Sequence, residues 1–402
     1  MALIVQKFGG SSVADAQRIF HVAEIITKTY QQGNSVCVVL SAQGDTTDDL
    51  IEKAREINPD ASRREMDMLL SCGEQMSIAL MAMAIEKIGF PVVSLCAWQI
   101  GMATDSNHSA AHITKVDCER VKEELDRKRI VLVAGFQGVD RTGDITTLGR
   151  GGSDTTAVAL AVALQADLCQ IYTDVDGVYT SDPRIVPEAR KLSEITYDEM
   201  LELASMGAQV LHNRSVELAK SYGVQLEVLS SFTGNPGTIV KEVVKKVEKT
   251  YITGVAQDKK IARFALVGLE DVPGVAYKLF NLLAKDKINV DMIIQSLGHD
   301  ERKDIIFTVA DKDSMACARL LDENKDVLKY DHMDINTGVS KVSIVGAGML
   351  ENAGVAAKMF EALYQAHINI HMISTSEIKV SVLIDKEDSD RAVRVIHNIF
   401  FQ

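Results

Sequence analysis

The sequence predicts an α/β protein: a three-layer αβα domain built on a mostly parallel sheet, then two small βαββαβ, ferredoxin-like modules. Three observations predict it. Short apolar runs alternate with helical patterns through roughly the first 240 residues. A charged stretch, TIVKEVVKKVEKT at 238–250, then breaks that pattern. Beyond it the chain repeats itself.

The strands of the first region are Leu3–Lys7, Ser35–Leu40, Pro91–Ser94, Ile130–Ala134 and Leu168–Thr173. Each is a short apolar run bounded by turn formers, as buried strands are. Ala16, Ile19, Phe20, Ala23 and Ile26 follow the first strand at helical spacing, and Arg64–Gly89, Val116–Lys128 and Thr155–Gln165 are further helical patterns. Strands separated by helices pair in parallel and carry helices on both faces. This domain is assigned to 1–245.

The repeat lies in 251–402. VPGVAYKLFNLLAKDKINVDMIIQS (272–296) aligns with NAGVAAKMFEALYQAHINIHMISTS (352–376), matched residues standing 80 positions apart. Gly274/Gly354, Val275/Val355, Ala276/Ala356, Asn289/Asn369 and Met292/Met372 are identical pairs. A unit of that size is too large for a solenoid. Each copy reads strand, turn, amphipathic helix, strand, strand, helix. The second copy ends on its last helix, and a spare strand, Tyr251–Gln257, precedes the first. The expected arrangement is a first module at about 262–338 inserted into a second made of 251–261 and 339–402.

Composition narrows the function. The net charge of −13 over 402 residues argues against a nucleic-acid partner. Small anions stay possible, because backbone N–H groups hold phosphate locally. The N-terminus lacks a signal-peptide layout, and no apolar run is expected to approach the roughly 18 residues of a membrane span. The six cysteines are scattered without a CxxC pair, which suits reduced core residues better than zinc or disulfides. A cytoplasmic protein without a membrane partner is expected.

Four stretches carry chemistry. In VQKFGGSSV (5–13) a glycine pair after a strand lets the backbone approach an anion, and Lys7 brings positive charge to the C-terminal edge of the sheet. The spacing is neither a Walker A loop nor GxGxxG. In TTLGRGGSDTTA (146–157) Arg150 stands among Gly149, Gly151 and Gly152, which suits a substrate carboxylate. Ser153 and Asp154 open the next helix. Either could cap it, worth about 1 kcal/mol; Asp154 also suits a substrate ammonium or the orientation of phosphoryl-transfer groups. IYTDVDGVYTSDPR (171–184) reads as a surface loop of Asx turns or as a nucleotide clamp. In the second reading Tyr179 lies near the base, Asp174 or Asp182 meets ribose or adenine, and Arg184 reaches the phosphates. SAQGDTTDDL (41–50) and LSCGEQMSIAL (70–80) place hydroxyls and Glu74 at helix starts. A helix dipole accounts for Glu74; burial on an apolar helix face would not.

Together with TDSNHSAAHI and VAGFQGV, these stretches resemble the signature blocks of the aspartate kinase family, of the amino-acid-kinase fold. The repeat is similar to that family's paired ACT modules. The resemblance spans essentially the whole chain, in order, and matches the form without a fused homoserine dehydrogenase. It implies transfer of the γ-phosphoryl group of ATP, with Mg2+ on the phosphates, to the side-chain carboxylate of L-aspartate. That carboxylate is already ionised, so positioning and charge neutralisation suffice without a general base.

The resemblance implies Lys7 and Asp154 as catalytic residues. It puts Phe8, Gly9, Gly10 and Ser41 on the phosphate side, and Thr47, Glu74, Arg150, Gly151, Gly152 and Ser153 on the aspartate side. Thr173, Asp174, Tyr179, Asp182, Pro183 and Arg184 fall on the nucleotide side. No separate metal site is expected. Gln209 and Leu229 stand where the family often has lysine and arginine. The ACT resemblance implies feedback by lysine, threonine or both, in a homodimer or larger homo-oligomer. Its amino-acid site would use Asp291 and Gln295 with Gly274, Val275 and Ala276, and Asn369 and Ile370 with Gly354, Val355 and Ala356. Glycine-led helix starts would receive the ligand carboxylate and Asp291 its ammonium. Dimer packing alone is the competing account of these stretches. Another amino-acid kinase, or a catalytically silent amino-acid sensor, are the rival functions.

Overall fold

The computed structural model describes residues 2–205, 210–244, 251–296, 302–349, 352 and 354–402. Two compact units account for them: Met1–Tyr179 with Lys191–Lys245, and Thr180–Arg190 with Lys246–Gln402.

The strands of the first unit are β1 (Leu3–Phe8), β2 (Ser35–Leu40), β3 (Val92–Leu95), β4 (Met102–Thr104), β5 (Ile113–Val116), β6 (Ile130–Ala134), β7 (Gln137–Val139), β8 (Ile145–Thr147), β9 (Leu168–Thr173), β10 (Glu194–Thr196), β11 (Leu226–Ser230) and β12 (Thr238–Lys241). The main sheet runs β10-β12-β11-β9-β1-β2-β6-β3 and is parallel except at β11–β12. β1 is central. Phe8 sits opposite Leu40 on β2 and Tyr172 on β9, so three strands end level with one another. A smaller sheet, β5-β4-β7-β8, has strands too short to leave an alternation in the sequence.

The helices are α1 (Ala16–Gln31), α2 (Thr46–Ile57), α3 (Arg63–Leu70), α4 (Cys72–Lys87), α5 (Glu119–Asp126), α6 (Gly152–Leu164), α7 (Tyr197–Ser205) and α8 (Asn213–Tyr222). Val22 and Ile26 of α1 and Met81 and Ile85 of α4 share a core with Phe8, Val38, Leu40 and Leu132. The single helix expected over Arg64–Gly89 is two. It breaks at Ser71, which is fully buried and whose carbonyl accepts a 2.6 Å hydrogen bond from the Gln137 side chain. By length and composition the run Arg63–Lys87 would reach across a bilayer, contrary to the expectation that nothing approaches that length. Its apolar residues on α4 instead pack on the sheet.

The second unit contains β13 (Gly254–Asp258), β14 (Ile261–Glu270), β15 (Val290–Gln295), β16 (Arg302–Ala310), β17 (His332–Asn336), β18 (Val339–Val345), β19 (Met372–Ser376) and β20 (Lys379–Asp385). They form two antiparallel sheets, β15-β16-β14-β17 and β13-β18-β20-β19. β13, from before the first copy, thus pairs with β18 of the second. The helices are α9 (Val275–Lys285), α10 (Ser314–Glu323), α11 (Lys325–Leu328), α12 (Val355–Gln365) and α13 (Ser389–Phe401). α9 and α12 open on glycines at φ 97° and 96°, a left-handed conformation that favours glycine.

Thr180–Arg190 is built into this unit although it continues the TDVDGVY stretch. The Thr180 carbonyl accepts from the Val255 N–H at 2.8 Å, its hydroxyl lies 2.9 Å from His397 Nε2, and Val186 is buried with Ile344, Met359 and Ile396.

Candidate active site

β1 delivers Lys7 to the sheet edge, where its Nζ lies 2.7 Å from Asp154 Oδ1 in the first turn of α6. Both side chains are about one-eighth exposed, at 12%. The N-cap of α6 is Gly151, at φ 69°, and among the described residues no side-chain cap hydrogen bond is made there. Capping is therefore not the role of Ser153 or Asp154, and Asp154 is spent on Lys7. A Cβ on Gly9 would sit 3.6 Å from Lys7 Nζ, and one on Gly10 only 2.5 Å from the Ala42 carbonyl oxygen. The Ser41 N–H donates to the Phe8 carbonyl and the Gly44 N–H to the Gly10 carbonyl, at 3.1 and 3.0 Å. The loops leaving β1 and β2 are thus stitched together, and Gly10 permits their approach. Phe8 departs from its expected place: its ring is fully buried and stacks on Tyr172 at 4.4 Å, which leaves only its backbone for a nucleotide.

Glu74 begins α4 and is 3% exposed. Its Oε1 accepts the Ala42 N–H at 3.1 Å, and its Oε2 has no hydrogen-bond partner among the described residues. Burial raises its pKa to about 7 against the opposing pull of the Ala42 N–H. Thr47 is half-buried in the first turn of α2, and Ser41 is half-buried just past β2. Arg150 is exposed and has no ion-pair or hydrogen-bond partner among the described residues. A Cβ on Gly151 would fall 2.2 Å from the His212 ring, and one on Gly152 2.8 Å from Phe136. Ser153 is buried against Gly135, so its part and that of Gly152 is close packing at the helix start.

At the end of β9 the Thr173 hydroxyl donates to Asp174 Oδ1 at 3.0 Å. The Tyr179 hydroxyl donates to Asp176 at 2.7 Å, and Asp176 also accepts from Lys191 and Asn235. The Tyr179 hydroxyl and its neighbouring donors hold the Asp176 carboxyl below the usual range. The Tyr179 hydroxyl therefore serves the loop. Asp182, Pro183 and Arg184 belong to the second unit, where Asp182 accepts the Arg184 N–H at 2.9 Å and its guanidinium at 2.7 Å. Gln209 lies outside the described residues. Leu229 on β11 packs, partly buried, against the core.

Several residues escaped sequence reasoning. Asp176 anchors the loop after β9, and its signal was the Asp-Gly turn. Arg214 donates to the Leu148 and Ala111 carbonyls at 3.0 and 2.8 Å, and burial lowers its pKa. His212 closes on Gly151. Neither Arg214 nor His212 had a local signal, because their partners lie far away in sequence. His108, Asp140 and Asp144 bring ligand atoms within 4.8 Å of one another. The two carboxylates already accept from Arg64, Thr142 and Ser106.

In the second unit Gly274 and Gly354 open their helices as N-caps. Val275 and Val355 are buried, Ala276, Ala356 and Ile370 are half-buried, and Gln295 and Asn369 are exposed. The Asp291 carboxylate, expected to take a ligand ammonium, is ion-paired with Lys341 on β18, whose side chain is 5% exposed. A ligand ammonium would compete with that lysine.

A lysine at a glycine loop, a buried half-unpaired carboxylate and an unpaired guanidinium suit phosphoryl transfer to an amino acid. The relatives agree. The amino acid kinase family model matches residues 2–230, and the ACT domain model matches 264–324 and 342–400. The chain is 48% identical to the aspartokinase of Bacillus sp. (strain MGA3), covering 100% of this chain and 97% of that one. It is 50% identical to the aspartokinase of Mycolicibacterium smegmatis, covering 100% and 96%. The structure of E. coli aspartokinase III in complex with aspartate and ADP superimposes with a TM-score of 0.84 at 26% identity, over 100% of both chains. The same enzyme with lysine and aspartate gives a TM-score of 0.77 at 26% identity, again over 100% of both. The chain belongs to the amino acid kinase family and, within it, to the aspartate kinases, phosphotransferases that carry C-terminal ACT domains.

Proposed function

We propose that Lys7, held by Asp154, neutralises the charge that spreads over the γ-phosphoryl group as it passes from ATP to the side-chain carboxylate of L-aspartate, giving 4-phospho-L-aspartate and ADP. The 2.7 Å ion pair carries this reading. It keeps the ammonium beside Gly9 at the end of β1, where backbone amides can face the phosphates. Mg2+ enters on the nucleotide phosphates as part of the substrate. Thr173, Asp174 and the Tyr179 ring serve the nucleotide, with Asp182, Pro183 and Arg184 carried by the resemblance alone. The unpaired Oε2 of Glu74 suits the substrate ammonium, and Arg150 suits its α-carboxylate.

The reaction opens the lysine, threonine and methionine pathway, and the end products of that pathway are the natural feedback ligands. Residues 251–402 form the regulatory region. Lysine, threonine or both bind there, in a cytoplasmic homo-oligomer joined through the ACT modules. Helix starts at Gly274 and Gly354 supply N–H groups for a ligand carboxylate, and release of Lys341 exposes Asp291 to its ammonium. A coupled ADP-release assay with aspartate, glutamate and UMP as acceptors tests the reaction. Turnover confined to aspartate is expected; turnover on glutamate or UMP, or none at all, would overturn it.

A further inference from the structure

The most heavily hydrogen-bonded carboxylate near the site belongs to neither the ATP nor the aspartate set. Asp67, on α3, is fully buried. Its Oδ1 accepts from the Ser109 hydroxyl at 3.3 Å and the Thr147 hydroxyl at 2.7 Å. Its Oδ2 accepts from the Ser109 N–H at 2.9 Å, the Thr147 N–H at 3.0 Å and lies 3.2 Å from His108 Nδ1. No lysine or arginine pairs with Asp67 among the described residues. Its charge is held by the dipoles of two loops, TDSNHSA and TTLGR.

Those loops converge on Arg150. Thr147 stands three residues before it. Ser109 adopts φ 68°, a left-handed conformation costly for a residue with a Cβ, and both of its donors are consumed by Asp67. The Ser109 carbonyl oxygen would lie 3.0 Å from a Cβ on Gly149, the residue next to Arg150. Arg214 closes the same two loops through the carbonyls of Leu148 and Ala111. Arg150 itself has no ion-pair or hydrogen-bond partner among the described residues, so there its position is inherited from the backbone on either side.

We propose that Asp67 is a positioning residue for aspartate recognition: it clamps the 105–111 and 146–149 loops so that the Arg150 guanidinium meets the substrate α-carboxylate. This rests on the assignment of Arg150 to that carboxylate. A small displacement of a binding group costs about 10- to 100-fold, and removal of Asp67 acts on aspartate and spares ATP.

Asp67→Asn, Thr147→Val and Ser109→Ala should each be assayed for KM of aspartate, KM of ATP, kcat and thermal midpoint, alongside Arg150→Lys and the double variant Asp67→Asn/Arg150→Lys. Asp67→Asn should raise the aspartate KM by about tenfold or more with the ATP KM within about twofold. Thr147→Val should do the same more weakly, and decides the matter if Asp67→Asn does not fold. In the Arg150→Lys background, Asp67→Asn should add less than about twofold, since its effect passes through the arginine. An equal rise in both KM values, a fall in kcat alone that follows thermal stability, or full additivity in the double variant would overturn the proposal. Arg150→Lys raising the ATP KM instead would overturn the assignment of Arg150, an outcome distinct from failure of the clamp.

Discussion

Lys7 Nζ lies 2.7 Å from Asp154 Oδ1, joining the last turn-out of the central strand to the first turn of α6. The pair is sheltered, so the carboxylate fixes the direction of the ammonium as well as its charge. A group aimed at charge that develops only during transfer acts on kcat.

Lys7→Ala should therefore keep the fold and lower kcat by about 100-fold or more, with a smaller change in either KM. Asp154→Asn should lower kcat less, because the lysine remains but is no longer aimed. Steady-state kinetics with circular dichroism check both. A Lys7→Ala variant with near wild-type kcat would exclude the lysine from the transfer step.

Glu74 gives a pH signature. Its pKa is raised from 4.5 to about 7 by burial. The folded state then holds a proton that the unfolded state releases, so stability is greatest below pH 4.5 for this group and declines as pH rises toward 7, by about 3 kcal/mol in total. Glu74→Gln should flatten the thermal midpoint across that window. An ammonium requires the ionised form, so the aspartate KM should fall as pH rises toward 7 and level off above it. In Glu74→Gln it should be high and independent of pH. A wild-type aspartate KM that is flat between pH 6 and 8 would remove Glu74 from ammonium recognition.

Gly151 combines φ 69° with a would-be Cβ 2.2 Å from the His212 ring. Gly151→Ala should strain the start of α6 by about 1–3 kcal/mol and displace Arg150 and Asp154 together. The expected result is a raised aspartate KM and a lowered kcat. Gly151→Ala/His212→Gly, which frees the space, should recover part of the loss.

Asp291 tests regulation. Asp291→Ala leaves the nearly buried Lys341 ammonium without its carboxylate, so the second unit should lose about 1–3 kcal/mol. Inhibition by lysine or threonine should weaken while uninhibited kcat is kept. Titration of each amino acid, singly and paired, against wild type and variant checks this. Wild-type activity indifferent to both at millimolar concentration would leave the repeat without a feedback role.

The alternation of apolar runs and helical patterns was enough for the α/β class and for the central strands, because burial on both faces writes a continuous apolar signal. Lys7, Gly9, Glu74, Arg150 and Asp154 stood out as candidates, since glycine loops at a strand end and charged residues at helix starts are local signals. The sequence could not say that Asp154 would be consumed by Lys7, that Phe8 would turn into the core, or that Asp291 would meet Lys341. Each depends on a partner 50 or more positions away, or on which face of a strand is covered. Asp67 shows the limit most plainly. In RREMDMLL it is one charge on a helix, and only when α3 packs beside β8 does it gather donors from Ser109 and Thr147. Local periodicity is set by the backbone and survives in one dimension; the pairing of a buried charge is set by long-range packing, and that exists only in the folded chain.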